Sequence, residues 1–267
     1  MATRAGARRG RAGAARGLMR ARIAETAGRG ARARAGAGAG AAGAPCGEAE
    51  ALGALLRRRR ACNKFKPGTP PVPEAILEAI VADASMAPSS FNLQHARYVL
   101  ATSEEMKGEI CEAAYGQPQV KECSVLVVVV ANTRAHEAAA DILAADGASV
   151  ERTASVLEMV EGSYGGDGNP AARDEAFRSC GLAAMAFMLS AQARGYNTGP
   201  MSGFDPAAVG AAVGLLPGEE ACMLIALGEP AVRDNGQDGG ATHPRQRPAR
   251  LPPSALARHA SGRALGA

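Results

Sequence analysis

Along most of the chain the apolar positions fall at helical spacing, and in a few short stretches they run on almost without a break. Glu48–Arg59 reads as a helix with Leu52, Leu55 and Leu56 on one face. Pro73–Ser85 reads as another, with Ile76, Leu77 and Ile80 in one stripe and proline near the first turn, where its missing N–H does no harm. Ser103–Tyr115 is a third, with Ser103 placed to cap it. Ala96–Ala101 and Ser124–Ala131 read as strands. The second is continuous Val/Leu, the pattern of a strand covered on both faces. Thr133–Val160 is helical with a break near Gly147, and Gly162–Asn169 is a glycine-rich turn. Asp174–Arg194 carries the longest helical pattern, about 30 Å of it, with Phe177, Gly181, Leu182, Ala184, Met185, Met188 and Leu189 in its stripe and Gly195 to stop it. So many small residues suit either a packed dimer core or a central core helix, and the spacing does not choose. Asp205–Val213 is a short helix and Ala221–Gly228 a third strand. Helices alternating with three strands place the fold in the α/β or α+β class.

Composition divides the chain in two. Residues 1–45 contain 17 Ala, 10 Gly and 10 Arg, with Glu25 the one acid, so this stretch carries a charge of about +9 and the remainder about −5. The basic character therefore belongs to the N-terminal stretch, and the body has no basic surplus for nucleic acid. It also lacks tryptophan, which argues against base-stacking platforms. An Arg-rich, acid-poor start of low complexity reads as an organelle transit peptide, for a chloroplast or mitochondrion, or else as a basic arm that is retained. Gly38, Gly40 and Gly43 fit a dinucleotide fingerprint by spacing, but no strand precedes them. Residues 46–267 are expected to form one domain, large enough to need no disulfides. The six cysteines are scattered without a C-x-x-C, so neither a disulfide framework nor a structural zinc is expected. The longest apolar run, around Val125–Ala131, is far short of a membrane helix.

A search for side-chain catalysis finds little. The four histidines lack metal-ligand spacing, and no H-E-x-x-H, G-x-S-x-G or Walker A is present. What stands out is recognition chemistry. Arg59-Arg60-Ala61-Cys62-Asn63-Lys64-Phe65 sets bases beside an amide and an aromatic, and guanidinium groups fork onto phosphate oxygens. Ala87-Pro88-Ser89-Ser90-Phe91-Asn92-Leu93-Gln94 offers a mixture of donors and acceptors of the kind a uracil-like ring edge needs, although Pro, Ser and Asn also favour ordinary turns.

In this order, together with Gln117-Pro118-Gln119-Val120, Pro200-Met201-Ser202-Gly203-Phe204-Asp205 and the basic stretch Arg245–Pro252, these segments resemble the flavin-dependent nitroreductase family from Glu48 to about Leu256. The resemblance implies an α+β, three-layer fold: a central mixed sheet flanked by helices, in an intertwined homodimer with one FMN per interface site. It implies that Arg59 and Arg60 lie at the FMN phosphate and ribityl end, beside Ala61, and that Asn63 faces the ring. Pro88, Ser89, Ser90 and Asn92 would come from the second subunit, with Gln94 just beyond. Gln117 and Gln119 would reach the pyrimidine edge. Pro200, Met201, Ser202 and Gly203 would line the isoalloxazine, the Gly203 N–H near N5, while Arg250, helped by Arg247, would close on the phosphate.

Some positions depart from the family pattern. Ala61 stands where Ser is common, Asn63 where a cation often contacts the flavin, Ser202 where some members carry Glu, and His95-Ala96-Arg97 where Pro-Trp is frequent. No side chain is assigned as catalytic, because a flavin performs the redox step while the protein orients it. The implied activity is NADH- or NADPH-dependent, ping-pong reduction of nitroaromatics, quinones or similar small electrophiles through flavin N5. The alternatives are other FMN chemistry (dehalogenation, enoate reduction, flavin fragmentation) or a flavin-binding sensor without turnover. The expected partners are a second copy and a small-molecule acceptor, with neither nucleic acid nor membrane.

Overall fold

A computed structural model describes residues 46–66, 68–231, 249–257 and 260. Residues 1–45, read as a transit peptide, and Arg247 lie outside them. The chain opens with α1 (Cys46–Arg58) and α2 (Glu74–Ala84), passes through a one-turn 3-10 helix at Ser90–Asn92, and enters β1 (Ala96–Ala101). Next come α3 (Glu104–Ala113), α4 (Pro118–Glu122) and β2 (Val125–Asn132), then a 3-10 turn at Ala135–Ala138 with α5 (Ala139–Ala145) and α6 (Val150–Tyr164). The 24-residue α7 (Pro170–Ala193) leads to β3 (Asn197–Met201), α8 (Pro206–Val213), β4 (Glu219–Gly228) and the short α9 (Pro253–Leu256).

Local chemistry explains most of these boundaries. Ser103 accepts the Met106 N–H at the start of α3, Ser149 accepts the Arg152 N–H at α6, and Asn169 accepts the Ala171 N–H at α7. Asp205 accepts from both Ala207 and Ala208 at α8. Helix α6 runs on through Gly162 to Tyr164, so the glycine-rich turn is shorter than its composition suggests.

The strands form one sheet in the order β1-β2-β4-β3. Every neighbouring pair is antiparallel, where the resemblance implies a mixed sheet. The parallel component shrinks to one bridge, Ala61 with Thr198, where the Cys62 N–H donates to the Thr198 carbonyl at 2.9 Å. A parallel ladder would next need an N–H two residues on, and that residue is Pro200, which has none. Strand β3 itself was not expected, because Asn-Thr-Gly-Pro-Met has no strand pattern. Its five residues are held extended by pairing with β4.

Two helical layers cover the sheet. On one face Leu77, Ile80 and Ala84 of α2 and Ala176, Cys180, Ala184, Phe187 and Ala191 of α7 pack on Val125, Val127, Val129, Ile225 and Leu227. On the other, Ile110 of α3, Val120 of α4 and Val209 of α8 pack on Leu126, Val128, Leu224 and Ala226. The alternation along β2 is thus the period-two consequence of a strand between two layers. A smaller cluster of Leu93, Ala135, Ala139, Ile142 and Val160 lies under α5 and α6.

Two expected burials differ. Leu52 and Leu56 of α1 are 52% and 39% exposed, and Leu182 of α7 is 47% exposed. The stripe read along α7 straddles two faces. One packs on the sheet, and the other, with Gly181 and Leu182, is open to solvent. A helix apolar on more than one side is asking for a second neighbour.

Candidate functional site

The segment after α1 is laid along the free edge of β3. The approach is so close that a Cβ on Gly199 would lie 2.0 Å from the Cys62 carbonyl oxygen, so only glycine fits there. Phe65 is buried and bridges to Pro230, which anchors the far end of the segment. Arg59 therefore sits at the start of this edge and Asn63 stands exposed along it. Arg60 turns back onto α1, where its Nη1 donates to the carbonyls of Arg57, Arg58 (3.3 Å) and Arg59 (3.0 Å), a cation at a helix C-terminus. Thr198 Oγ1, opposite Ala61, is buried and without a hydrogen-bond partner among the described residues.

At the end of β3 the chain meets the turn after α3. Tyr115 and Gly116 both take positive φ, at 56° and 73°, and reverse the chain so that Gln117 faces Gly203. Gln117 Nε2 donates to the carbonyls of Gly203 (2.7 Å) and Ala114 (3.1 Å), and Gln119 Nε2 donates to Gln117 Oε1 (3.0 Å) and Met201 Sδ (3.2 Å). Beneath this turn Lys107 is almost wholly buried. Its Nζ donates to the carbonyls of Lys121 (3.1 Å) and Cys123 (2.9 Å) and pairs with Glu104 at 2.6 Å, tying α3 to the end of α4. Ser202 and Gly203 are exposed, and the Gly203 N–H has no acceptor among the described residues.

The Pro88–Gln94 loop is built differently. Phe91, Asn92 and Gln94 all take positive φ (49°, 56° and 51°), a conformation that costs a non-glycine residue about 1–2 kcal/mol. A buried polar network holds it there. The Ser90 N–H donates to Glu175 Oε1 at 3.3 Å, Ser179 Oγ donates to the same oxygen at 2.9 Å, and Arg178 pairs with Oε2. Tyr164 donates its hydroxyl to Ser90 Oγ at 2.8 Å, and the Gln94 N–H donates to Ser89 Oγ at 2.8 Å. His95, 2% exposed, touches Ser179 Oγ through Nδ1 at 3.4 Å and packs edge-on to Tyr164. Burial pulls the His95 pKa down to about 4, so the ring is neutral at ordinary pH. Burial raises the Glu175 pKa, but the hydrogen bonds from Ser179, Ser90 and Arg178 outweigh it and hold the carboxyl below its usual value.

Glu175, Ser179 and Tyr164 were not among the residues expected from sequence. A carboxylate and a serine four apart on a helix look like a solvated face. The signal available was that they interrupt the apolar pattern on the side that packs inward.

The expected site residues thus fall into two groups. Arg59, Arg60, Ala61, Asn63, Gln117, Gln119, Pro200, Met201, Ser202 and Gly203 gather along and beyond β3. Pro88, Ser89, Ser90, Asn92 and Gln94 gather before β1, at the opposite edge of the sheet, across three strand spacings or about 14 Å. The separation along α7 is larger. Arg58 Nη2 donates to the Gln192 carbonyl near its C-terminus, while Ser90 bonds to Glu175 near its N-terminus. Seventeen residues of helix are about 25 Å. One copy of the chain does not bring the two groups together. Arg250 is exposed, with Nη1 on the Ala249 carbonyl at 3.3 Å.

The donor set of the first group suits the flavin that the resemblance implies. It has guanidinium groups for a phosphate, the amide oxygens of Gln117 and Gln119 to accept from a pyrimidine N–H, and an available main-chain N–H for a ring nitrogen. A shallow hollow of about 380 Å³ between α3 and α8 does not, since Glu109, Glu112 and Asp205 line it. Three carboxylates repel a phosphate.

The Nitroreductase family model matches residues 56–229. MhqN of Bacillus subtilis, named as an NAD(P)H nitroreductase, is 36% identical over 181 residues, covering 66% of this chain and 86% of that protein. An NADH dehydrogenase of Thermus thermophilus is 32% identical over 182 residues, covering 68% and 87%. An enone reductase of Lactiplantibacillus plantarum is 26% identical over 187 residues, covering 67% and 86%. Among solved structures, the B. subtilis nitroreductase ydfN superposes with a TM-score of 0.71 at 29% identity, over 79% of this chain and 99% of that one. A nitroreductase from Exiguobacterium sibiricum in complex with FMN shares the fold, with a TM-score of 0.65 at 23% identity over 77% and 95%.

Proposed function

Because the chain belongs to the nitroreductase family, we propose that two copies of it hold FMN between them and reduce nitroaromatics, quinones or similar small electrophiles at the expense of NADH or NADPH. When bound, FMN supplies a ring that takes a hydride from the nucleotide and returns an electron pair to the acceptor. This chain's own residues bind and orient. Arg59, with Arg250 and Arg247, neutralises the phosphate, and Arg60 adds charge at the same end while capping α1. Gln117 and Gln119, locked to each other and to Gly203 through their N–H groups, present amide oxygens to the pyrimidine. The Gly203 N–H, which has no acceptor among the described residues, would supply a donor for charge that develops on the ring. Pro200 and Met201 form an apolar floor, and Asn63 offers a neutral donor where a cation would bind the reduced ring more tightly. The Pro88–Gln94 loop of the second copy closes the other side.

The observation that carries this reading is the distance between the two residue groups, together with the exposed Leu52, Leu56 and Leu182. A two-fold pairing through that apolar surface brings one group of each copy to the other group of its mate and makes two equivalent pockets. The test is spectral and hydrodynamic. The full chain, supplied with FMN, should sediment as a dimer, turn yellow, bleach with NAD(P)H under argon and recolour with a quinone or a nitroaromatic. A stable colourless monomer overturns the proposal. Parallel lines in double-reciprocal kinetics are expected if the nucleotide leaves before the acceptor enters. The likeness to an enone reductase favours one second reading, reduction of conjugated enones, and a conjugated enone tried beside the quinone and the nitroaromatic distinguishes it.

A further inference from the structure

Strand β4 carries an extra residue. Val129 of β2 stands opposite Met223 and Val130 opposite Ala221, which leaves Cys222 as a bulge between them. In an unbroken strand Cys222 would share a face with Leu224 and Ala226, which lie in the core beside α3 and α8. The bulge turns it to the opposite face, where it packs with Met223, Ile225 and Leu227 against the cluster that contains Cys180. Cys180 comes from the middle of α7, and its Sγ lies 3.5 Å from the carbonyl oxygen of Val130, the β2 residue beside the bulge. The bulge thus sets Cys222 on the face where Cys180 lies, and the two thiols are close enough to perturb one another's ionisation.

They are not equivalent. Cys180 is fully buried and Cys222 half-buried. The neighbouring Cys180 thiol lowers the pKa of Cys222, against its burial, with Arg173 adding to the effect and Glu220 opposing it. The same proximity, together with burial, pushes Cys180 up, with Arg97 opposing. Cys222 is thus the better nucleophile and Cys180 the resolving thiol. Cys62, Cys111, Cys123 and Cys180 donate their thiols to the main-chain carbonyls of Lys64, Gln117, Val120 and Val130, whereas Cys222 makes no such bond among the described residues.

We propose that Cys180 and Cys222 are an oxidation site, a thiol pair that a peroxide closes into an intramolecular disulfide tying α7 to β4. The Cys222 sulfur attacks the peroxide ROOH. The O–O bond breaks, the sulfur takes OH as a sulfenic acid, and ROH leaves with the thiol's proton. The Cys180 sulfur then displaces that hydroxyl. An S–S bond forms, the S–O bond breaks, and water departs with the second proton. Two thiols lose two electrons and two protons, and the peroxide gains them. The pair needs neither flavin nor a second copy, so it stands apart from the proposed function.

The test uses the reduced full chain under native conditions, treated with hydrogen peroxide, quenched with N-ethylmaleimide and mapped by peptide mass spectrometry. The expected result is a Cys180–Cys222 cross-linked peptide, lighter by two hydrogens than the sum of its parts and separated by dithiothreitol. In C222S the cross-link should fall to background. In C180S a sulfenic acid on Cys222 should be trapped by dimedone. Recovery of both thiols as maleimide adducts overturns the proposal. So does oxidation of Cys222 to a sulfinic acid without the link, or a link from Cys222 to any other cysteine. The wild-type measurement decides even if a variant does not fold.

Discussion

The two halves of the candidate site reach order by opposite routes. Along β3 a chain segment is fixed by main-chain hydrogen bonding, a buried Phe65 and a glycine whose absent side chain permits contact. Before β1, a loop with three non-glycine residues at positive φ is pinned by a carboxylate, a serine, a tyrosine and a neutral histidine. The first half is held by packing and main-chain hydrogen bonds. The second is held by charge and hydrogen bonding, and stores backbone strain that its surroundings must outweigh.

The comparison is broken most directly at Gly199. A methyl group there meets the Cys62 carbonyl, so Gly199→Ala should cost about 3 kcal/mol in urea unfolding. An unchanged midpoint would mean that the Arg59–Phe65 segment retreats freely. Acid should find the other half. The His95 pKa is about 4 in the fold against 6.5 free, so the unfolded chain binds the proton more tightly. Stability is complete above pH 6.5 and falls as pH drops towards 4, by up to about 3 kcal/mol. The depressed Glu175 carboxyl adds a loss in the same direction at still lower pH. Urea midpoints measured from pH 7 to 4 test this, and a flat profile that His95→Gln does not alter removes the ring from the account.

Arg59→Ala should weaken FMN binding by roughly 1.5–3 kcal/mol, read by fluorescence titration, if a charge-assisted bond is lost. The smallest effect expected is a gain. Gln94→Gly relieves a positive φ of 51°, and after glycine's own entropic cost should add about 0.5 kcal/mol. A loss instead would show that the Gln94 side chain supports the loop.

Much of the fold was legible because its signals are local. Ser103, Asp205 and the Val125–Ala131 run marked their elements correctly, since a cap or a buried strand is written in adjacent residues. Strand β3 was not, because β4 imposes its extension on a sequence containing Gly199 and Pro200. The bulge at Cys222 was also hidden, since a one-residue slip depends on the register of two strands. For the site, the order of the segments pointed to the residues, but their division across the sheet is a property of topology. The support from Glu175 and Ser179 was faint, because a polar side chain facing inward differs in sequence from one facing water only by its place on the apolar side of the helix.

That division has a genetic consequence. In the proposed dimer each pocket takes one edge from each chain. A copy spoiled at Gly199 and another spoiled at Glu175 should therefore rescue one another when mixed. In each hybrid pair one pocket receives both lesions and the other neither. Random pairing would then restore roughly a quarter of all pockets, although neither parent retains any.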